Sequence, residues 1–391
     1  MERIGIYGGT FNPPHTGHIR AAHYAIEALG LEKLLLVPSC VAPHKTLPPH
    51  SPTPAQRAQM LRIAAGEKME VCEIELNRGG TSYTYETVEA LSAQHPDKEL
   101  VLLMGTDMFL SFFTWKEPQR ILQKAAIGVF YRGEKGEKAA ILAQKENLEA
   151  RGAKVELVEN DVVNISSTQL RRLLAFDAAD EFLPAGVGDY IRENGLYDTA
   201  ARWKNLPMEE LEPIVIRLLN PNRVAHVLGC RDEAVRLAEH WGADVTDAAR
   251  AGILHDITKA LDGPLQLTLC GAYDKILSDF SRKYPKTLHA LTGSLVAERI
   301  FGENEAVVTA ICHHTTGRAN MGLLEKIIYV ADYMEPCRNF PGVEKLRALA
   351  YSDIDAALKL GLEMTLEHLA RQGNEVSQES RDALAFLNSN Q

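Results

Sequence analysis

Two places in this sequence gather side chains that could do chemistry. The first is Gly8-Gly9-Thr10-Phe11-Asn12-Pro13-Pro14-His15-Thr16-Gly17-His18, lying between an apolar run and a helical pattern that opens at Ile19. Gly8 and Gly9 let backbone N–H groups approach a phosphate closely, and a helix starting near Gly17-His18 turns its positive end to the same spot. The string matches neither GxGxxG nor GxxxxGK[ST]. In place of a P-loop lysine stand His15 and His18, which can donate hydrogen bonds to an α-phosphate as charge develops on it. A second cluster, Ser166-Ser167-Thr168-Gln169-Leu170-Arg171, opens a later helix. Ser166 or Ser167 suits an N-cap. Their hydroxyls, the free N–H groups and Arg171 one turn on also suit β- and γ-phosphates.

The other place is built from histidine and aspartate. His255-Asp256 ends a predicted helix; His226 lies upstream, and His289, His313, His314 and Asp332 lie downstream. Each falls on, or at the edge of, a helical pattern, and a helical bundle can aim such side chains at one point. Imidazole and carboxylate ligands suit iron, manganese or zinc rather than calcium. A metal that lowers the pKa of water supplies a nucleophile for a phosphoric anhydride.

The elements that must position these residues change character part-way along the chain. Up to about residue 175, strands are expected at Ile4–Tyr7, Leu34–Val37, Val71–Ile74, Leu100–Met104, Ile127–Tyr131 and Val155–Val158. Helices are expected between them at Ile19–Leu29, Pro54–Ala65, Tyr85–Ser92 and Lys138–Ala150. Several strands are apolar throughout, so they are buried on both faces. That predicts an α/β domain, a doubly wound parallel sheet covered by helices, with ligands beyond the carboxyl ends of the strands.

Beyond Gly195-Leu196-Tyr197-Asp198 the pattern turns helical, with almost no strand signal. Helices are expected at Glu209–Leu219, Cys230–Trp241, Asp247–His255, Leu291–Ile300, Ala306–His313, Leu323–Met334 and Ile354–Arg371. Asn205-Leu206-Pro207 has turn chemistry. The boundary therefore falls between residues 198 and 208, giving an α/β domain over 1–200 and an all-α domain over 205–391. The polar tail from Ser377 carries no clear pattern.

Composition bounds the partners. The 391 residues suit two domains. Acidic residues outnumber basic ones 52 to 42, which argues against a general nucleic-acid partner. Six scattered cysteines without a CxxC pair read as reduced thiols of a cytoplasmic protein. No apolar run is long enough for a membrane span, and no secretory signal is read.

The first set of motifs resembles the nucleotidyltransferase superfamily, whose HxGH and SSTxxR signatures match here in full. More narrowly, Ala42-Pro43-His44-Lys45, Ser82-Tyr83-Thr84-Tyr85-Glu86-Thr87, Gly105-Thr106-Asp107, Trp115-Lys116 and the closing Val187 to Tyr197 string are similar to the nicotinate-nucleotide adenylyltransferases. That resemblance implies transfer of AMP from ATP to nicotinate mononucleotide, with Mg²⁺ on the triphosphate and loss of pyrophosphate. It implies ATP and phosphate contacts at Gly8, Gly9, Thr10, Phe11, Ser166, Ser167, Thr168 and Arg171, with His15 and His18 catalytic. The pyridine ring would stack on Trp115 and its carboxylate would meet N–H groups near Thr84 and Tyr85. Asp107 would hold ribose hydroxyls and Lys45 phosphate. Arg132 would join them, although Arg132-Gly133-Glu134 departs from the family's Arg-Pro-Gly. Asn12 stands where many superfamily members carry Asp.

The second set resembles the HD superfamily. Ala310 to Gly317 and Leu324 to Pro336 are similar to the bacterial YqeK branch, symmetrical hydrolases of diadenosine tetraphosphate with a di-iron centre. Carried over, the ligands are His226, His255, Asp256, His289, His314 and Asp332, with Asp256 also catalytic. Lys259 and Arg318 are candidate phosphate contacts. Self-association into a homo-oligomer is compatible with this reading. Two alternatives stand beside it: the second half is a non-catalytic nucleotide sensor, or the first half adenylylates another mononucleotide such as phosphopantetheine.

Overall fold

A computed structural model describes residues 2–43, 47–48, 50–131, 135–160, 165–199 and 203–389. The chain divides into two compact units, Met1–Ala200 and Ala201–Gln391.

Unit one is a six-stranded sheet: β1 (Arg3–Gly9), β2 (Lys33–Pro38), β3 (Met69–Val71), β4 (Glu99–Gly105), β5 (Ala125–Tyr131) and β6 (Val155–Glu159). All pairs are parallel and the order is β3-β2-β1-β4-β5-β6. Its helices are α1 (Thr16–Ala28), α2 (Pro54–Ala64), α3 (Ile74–Arg78), α4 (Thr84–Gln94), α5 (Thr106–Leu110), α6 (Pro118–Leu122), α7 (Lys135–Glu149), α8 (Ser167–Ala175) and α9 (Val187–Glu193). Side chains alternate across each strand, so Ile6, Leu35, Leu102, Ile127 and Val155 fill the core on one face. Leu34, Leu36, Val101, Leu103 and Phe130 fill the other. Apolar runs without alternation are what a sheet buried on both faces requires. The strand order reverses between β1 and β4, and there the carboxyl ends open a crevice.

One expectation shifts. The run Val71–Ile74 was expected as a strand, yet β3 stops at Val71 and α3 starts at Ile74. The alternation Cys72-Glu73-Ile74-Glu75 mimics a strand, but the chain turns so that Ile74 packs on the core. Glu75 turns inward as well, where it accepts the Thr87 hydroxyl at 2.7 Å.

Unit two is helical: α10 (Met208–Leu218), α11 (Val224–Trp241), α12 (Val245–Leu254), α13 (Gly263–Ala272), α14 (Asp279–Lys283), α15 (Leu288–Val296), α16 (Glu305–His313), α17 (Leu323–Met334), α18 (Val343–Ala350), α19 (Ile354–Arg371) and α20 (Gln378–Ser389). Helices α11, α12, α15, α16 and α17 pack on one another. Gly252 lets α12 close on α11, since a Cβ there would meet the Arg231 Cα at 2.7 Å. The helix expected over Leu291–Ile300 is α15 followed by a π-helical turn, Ala297–Phe301. The polar tail, unassigned from sequence, forms α20, tied down by the Ser380 hydroxyl donating to the Thr316 carbonyl at 2.7 Å. Among the described residues no helix is long and apolar enough to cross a membrane.

Candidate active sites

In unit one, the crevice is a cavity of about 550 Å³ whose lining includes Gly8, Gly9, Thr10, Thr84, Trp115 and Lys116. These come from the ends of β1, α4 and the segment after α5. Trp115 lies 5.5 Å from the Phe112 ring, which anchors it against the core. Gly9 has a steric reason: a Cβ there would sit 3.1 Å from the Phe11 ring. Phe11 is buried and meets the His18 ring edge-to-face, with ring centroids 5.1 Å apart.

His15 caps α1 from outside and His18 is its third residue. Their rings lie 3.6 Å apart, and the His18 Nδ1 accepts the His15 backbone N–H at 3.2 Å. Burial pushes the His15 imidazole down to about 4, so the ring is neutral near pH 7. A neutral ring donates through one N–H, which suits a hydrogen bond to phosphate.

The SSTxxR segment forms the start of α8. Ser166 is the N-cap, accepting the Gln169 N–H at 3.2 Å. Arg171 reaches from α8 to the first loop, donating to the Asn12 carbonyl at 2.8 Å and to the Thr168 hydroxyl at 3.1 Å. The two motifs, 159 residues apart, are thus joined by a direct hydrogen bond.

Phe11, His15, His18 and the Ser166–Arg171 segment lie off the cavity lining, as do other predicted residues. The Tyr85 hydroxyl donates to Glu86 at 2.9 Å and its ring lies under Arg120. Asp107 is exposed in the first turn of α5, two residues past the lining residue Gly105. Lys45 and Arg132 lie outside the described residues.

Three features of this site had no role assigned from sequence. Glu75 lines the cavity while nearly buried, and burial raises its carboxyl. Asn12 accepts the Tyr197 hydroxyl at 2.7 Å and donates to the Ser51 hydroxyl at 3.1 Å. Ser51 gives its only proton to the Pro48 carbonyl at 2.7 Å, so it can only accept from residue 12. An amide meets both demands; a carboxylate would not. The third feature is Arg57, wholly buried on α2. Its signal was present: positions 57, 61 and 64 lie on one helix face, and the other two are Leu and Ala.

In unit two the predicted ligands converge. His226 and His289 stand at the starts of α11 and α15, His255 and His314 cap the ends of α12 and α16, and Asp332 lies near the end of α17. The His226 Nε2 is 3.1 Å from Asp332 and 3.4 Å from the His255 Nε2. Asp256 sits between two groups. Its Oδ2 faces the His226 and His255 Nε2 atoms at 3.7 and 3.6 Å. Its Oδ1 faces those of His289 and His314 at 3.5 and 3.8 Å. Two overlapping trios could each hold an ion, His226–His255–Asp332 and His255–Asp256–His314.

The donor set fits divalent metal. Burial holds His255 down to about 4, leaving it neutral as a ligand must be. Burial works against charge on Asp256, yet the His255 and His314 rings and the Lys259 ammonium keep its carboxyl well below the ordinary range. The far ring nitrogens are fixed too: His255 Nδ1 by the Gly252 carbonyl at 2.8 Å, His314 Nδ1 by the Ile311 carbonyl at 2.7 Å. That orientation leaves Nε2 for metal. Glu335, fully buried, does the same for His226 at 3.0 Å and also accepts the Cys337 N–H at 2.6 Å. Glu335 belongs to the string that carried the resemblance, but its type alone gave no role.

Basic side chains surround this centre. Arg223 bonds Asp256, Arg338 donates to Asp332 at 2.6 Å, and the Lys259 Nζ lies 2.8 Å from the His289 Nε2. Arg318 is instead held by Glu325 through two bonds of 2.7 Å. His313 also meets Glu325, at 2.9 Å.

Comparison with known proteins separates the halves in the same way. The Cytidylyltransferase-like family matches residues 6–173, and the HD domain family matches residues 223–337. A probable nicotinate-nucleotide adenylyltransferase of Dictyoglomus thermophilum is 36% identical over 198 residues, 50% of this chain and 99% of that protein. One from Aeromonas salmonicida is 38% identical over 208 residues, 50% of this chain and 96% of its own length. Through its first half, the chain belongs to the nicotinate-nucleotide adenylyltransferase family. Its second half carries an HD domain. Among solved structures, a predicted HD superfamily hydrolase involved in NAD metabolism from Clostridium acetobutylicum is 36% identical, with a TM-score of 0.46, covering 48% of this chain and 99% of that one.

Proposed function

We propose that the first unit joins ATP to nicotinate mononucleotide, and that the second hydrolyses diadenosine tetraphosphate to two ADP. In the first reaction an acceptor phosphate oxygen attacks the α-phosphorus in line, and the α–β anhydride bond breaks to release pyrophosphate. The observation that carries this reading is the direct hydrogen bond that joins the loop leading into HxGH to the SSTxxR helix, Arg171 donating to the Asn12 carbonyl. His15 and His18 would donate to the α-phosphate, and the α8 start with Arg171 would hold the β- and γ-phosphates. Mg²⁺ would neutralise the triphosphate. Trp115 and the Thr84 N–H, both on the cavity lining, would take the pyridine ring and its carboxylate; Tyr85, Asp107, Lys45 and Arg132 complete the proposed acceptor contacts. The relatives' shared name supports the acceptor.

For the second reaction the carrying observation is the Asp256 carboxylate, whose Oδ2 faces His226 and His255 while its Oδ1 faces His289 and His314. Two divalent ions, iron by resemblance, would supply activated water and polarise the anhydride. Arg223, Lys259 and Arg338 would hold the polyphosphate chain, whose negative charge matches theirs. The test is turnover by the full chain. Nicotinate adenine dinucleotide should form from ATP and nicotinate mononucleotide, at least tenfold faster than from the amide, a difference of about 1.4 kcal/mol. ADP should form from diadenosine tetraphosphate only in metal-loaded protein. Equal rates with acid and amide would refute the acceptor assignment, and ADP release after complete metal removal would refute the metal one.

A further inference from the structure

Charge around the first site is unbalanced, and Arg57 is the part of that imbalance with no role so far. It is 0% exposed, yet among the described residues no carboxylate pairs with it. Its Nη1 donates to the Thr10 carbonyl at 2.6 Å, and its Nη2 to the carbonyls of Ser39 at 2.6 Å and Cys40 at 3.3 Å. Its Nε is buried without a partner. A bare guanidinium is costly to bury, and an apolar side chain could fill the same space at less cost. An anion elsewhere in the site would offset that cost.

The bonds Arg57 makes explain the shape of the loop. Phe11 has φ 45°, the left-handed region that a non-glycine residue occupies only under strain. The carbonyls on either side of it are both held by guanidinium groups, Thr10 by Arg57 and Asn12 by Arg171. In a planar trans peptide the N–H points opposite to the C=O. Drawing the Thr10 carbonyl to Arg57 therefore turns the Phe11 N–H the other way. The same turn seats the Phe11 ring against His18.

We infer that Arg57 is a positioning residue for the nucleoside triphosphate, locking the strained Thr10–Asn12 turn so that the Phe11 N–H and His18 face it. This rests on the adenylyl-transfer reading of that site. Arg57 touches no substrate; it acts through the loop, and the triphosphate supplies the counter-charge its burial lacks.

The test uses the full chain with Arg57→Lys and Arg57→Met, folded by circular dichroism. Calorimetry measures binding of α,β-methylene-ATP with Mg²⁺, and steady-state rates give kcat and each KM. We expect Arg57→Lys to weaken analogue binding at least tenfold and lower kcat at least tenfold, because His18 loses its seat. The acceptor KM should stay within threefold, and Arg57→Met should lose more than Arg57→Lys. Analogue affinity and kcat within twofold of wild type in both variants would overturn the proposal. Should the variants fail to fold, the wild-type Arg57 Nε–H resonance decides: it should shift on saturation with the analogue, and an unmoved resonance overturns the role. A wild type that binds the analogue but makes no dinucleotide would fail the acceptor reading and leave Arg57 to the binding measurement.

Discussion

The two sites are made from different material. In unit one the proposed phosphate cradle is mostly main chain: the glycines that end β1, the starts of α1 and α8, and carbonyls held by Arg57 and Arg171. In unit two the candidate metal site is all side chain, with five groups from five helices and their ends gathered around the Asp256 carboxylate. A main-chain cradle is set by the path of the loops, so removing one side chain weakens it by degrees. A ligand cluster depends on each member, and Asp256 belongs to both halves of it. The lesson is that the first site should fail in steps and the second at once.

The largest expected effect follows from that. Asp256→Ala should remove bound metal and cut diadenosine tetraphosphate hydrolysis by more than about a thousandfold, because one trio loses its carboxylate and two histidine pairs lose the group that lies between them. Metal analysis of the folded variant checks it; full metal content would break the contrast. Next comes His18→Ala in the first site. Losing one donor to developing phosphate charge costs about 2.7–4 kcal/mol, roughly a hundred- to a thousandfold in kcat. The affinity for ATP should be mostly retained, which calorimetry would show.

Glu335→Gln sharpens the comparison within the second site. The amide fills the same space but loses the charge-assisted bond to the His226 ring. Metal affinity should fall about 10- to 100-fold, the range for such outer partners, as read by competition with a chelator. Unchanged affinity would mean that Glu335 merely fills space.

The smallest effect is a pH slope. Burial lowers His15 to about 4, while the unfolded imidazole titrates near its ordinary 6.5. As pH falls through that window the unfolded chain takes up a proton that the folded one refuses, so stability drops toward acid. Between pH 7 and pH 5 this one group should cost about 2 kcal/mol. His15→Gln should flatten the denaturation slope of unit one by that amount. An identical slope in both proteins would show that the ring titrates freely.

Much of this was legible in the sequence because it repeats short-range rules. The strands of unit one read from apolar runs, and the ligand-bearing helices of unit two from their periodicity. What escaped depends on long-range pairing. Glu75 lies just past the run expected as a strand, and only the turn into α3 brings it to Thr87. Asn12 gains its meaning from Ser51 and Tyr197, 39 and 185 residues away. Glu335 needs the His226 ring, 109 residues off, to have any role. Helix α13 was missed because Gly263-Pro264 reads as a turn, although Asp262 caps it by accepting the Leu265 N–H at 3.1 Å.

The central claim is that one chain holds two separate chemistries, and a single paired assay tests it. Initial rates of nicotinate adenine dinucleotide formation and of ADP release from diadenosine tetraphosphate are measured on full-length wild type, His18→Ala and Asp256→Ala. Each variant should lose one reaction and keep the other within about threefold. If folded Asp256→Ala slows dinucleotide synthesis more than about tenfold, the sites are coupled by over 1.4 kcal/mol. The second unit would then be a sensor of nucleotides acting on the first, and the account of two independent enzymes would be wrong.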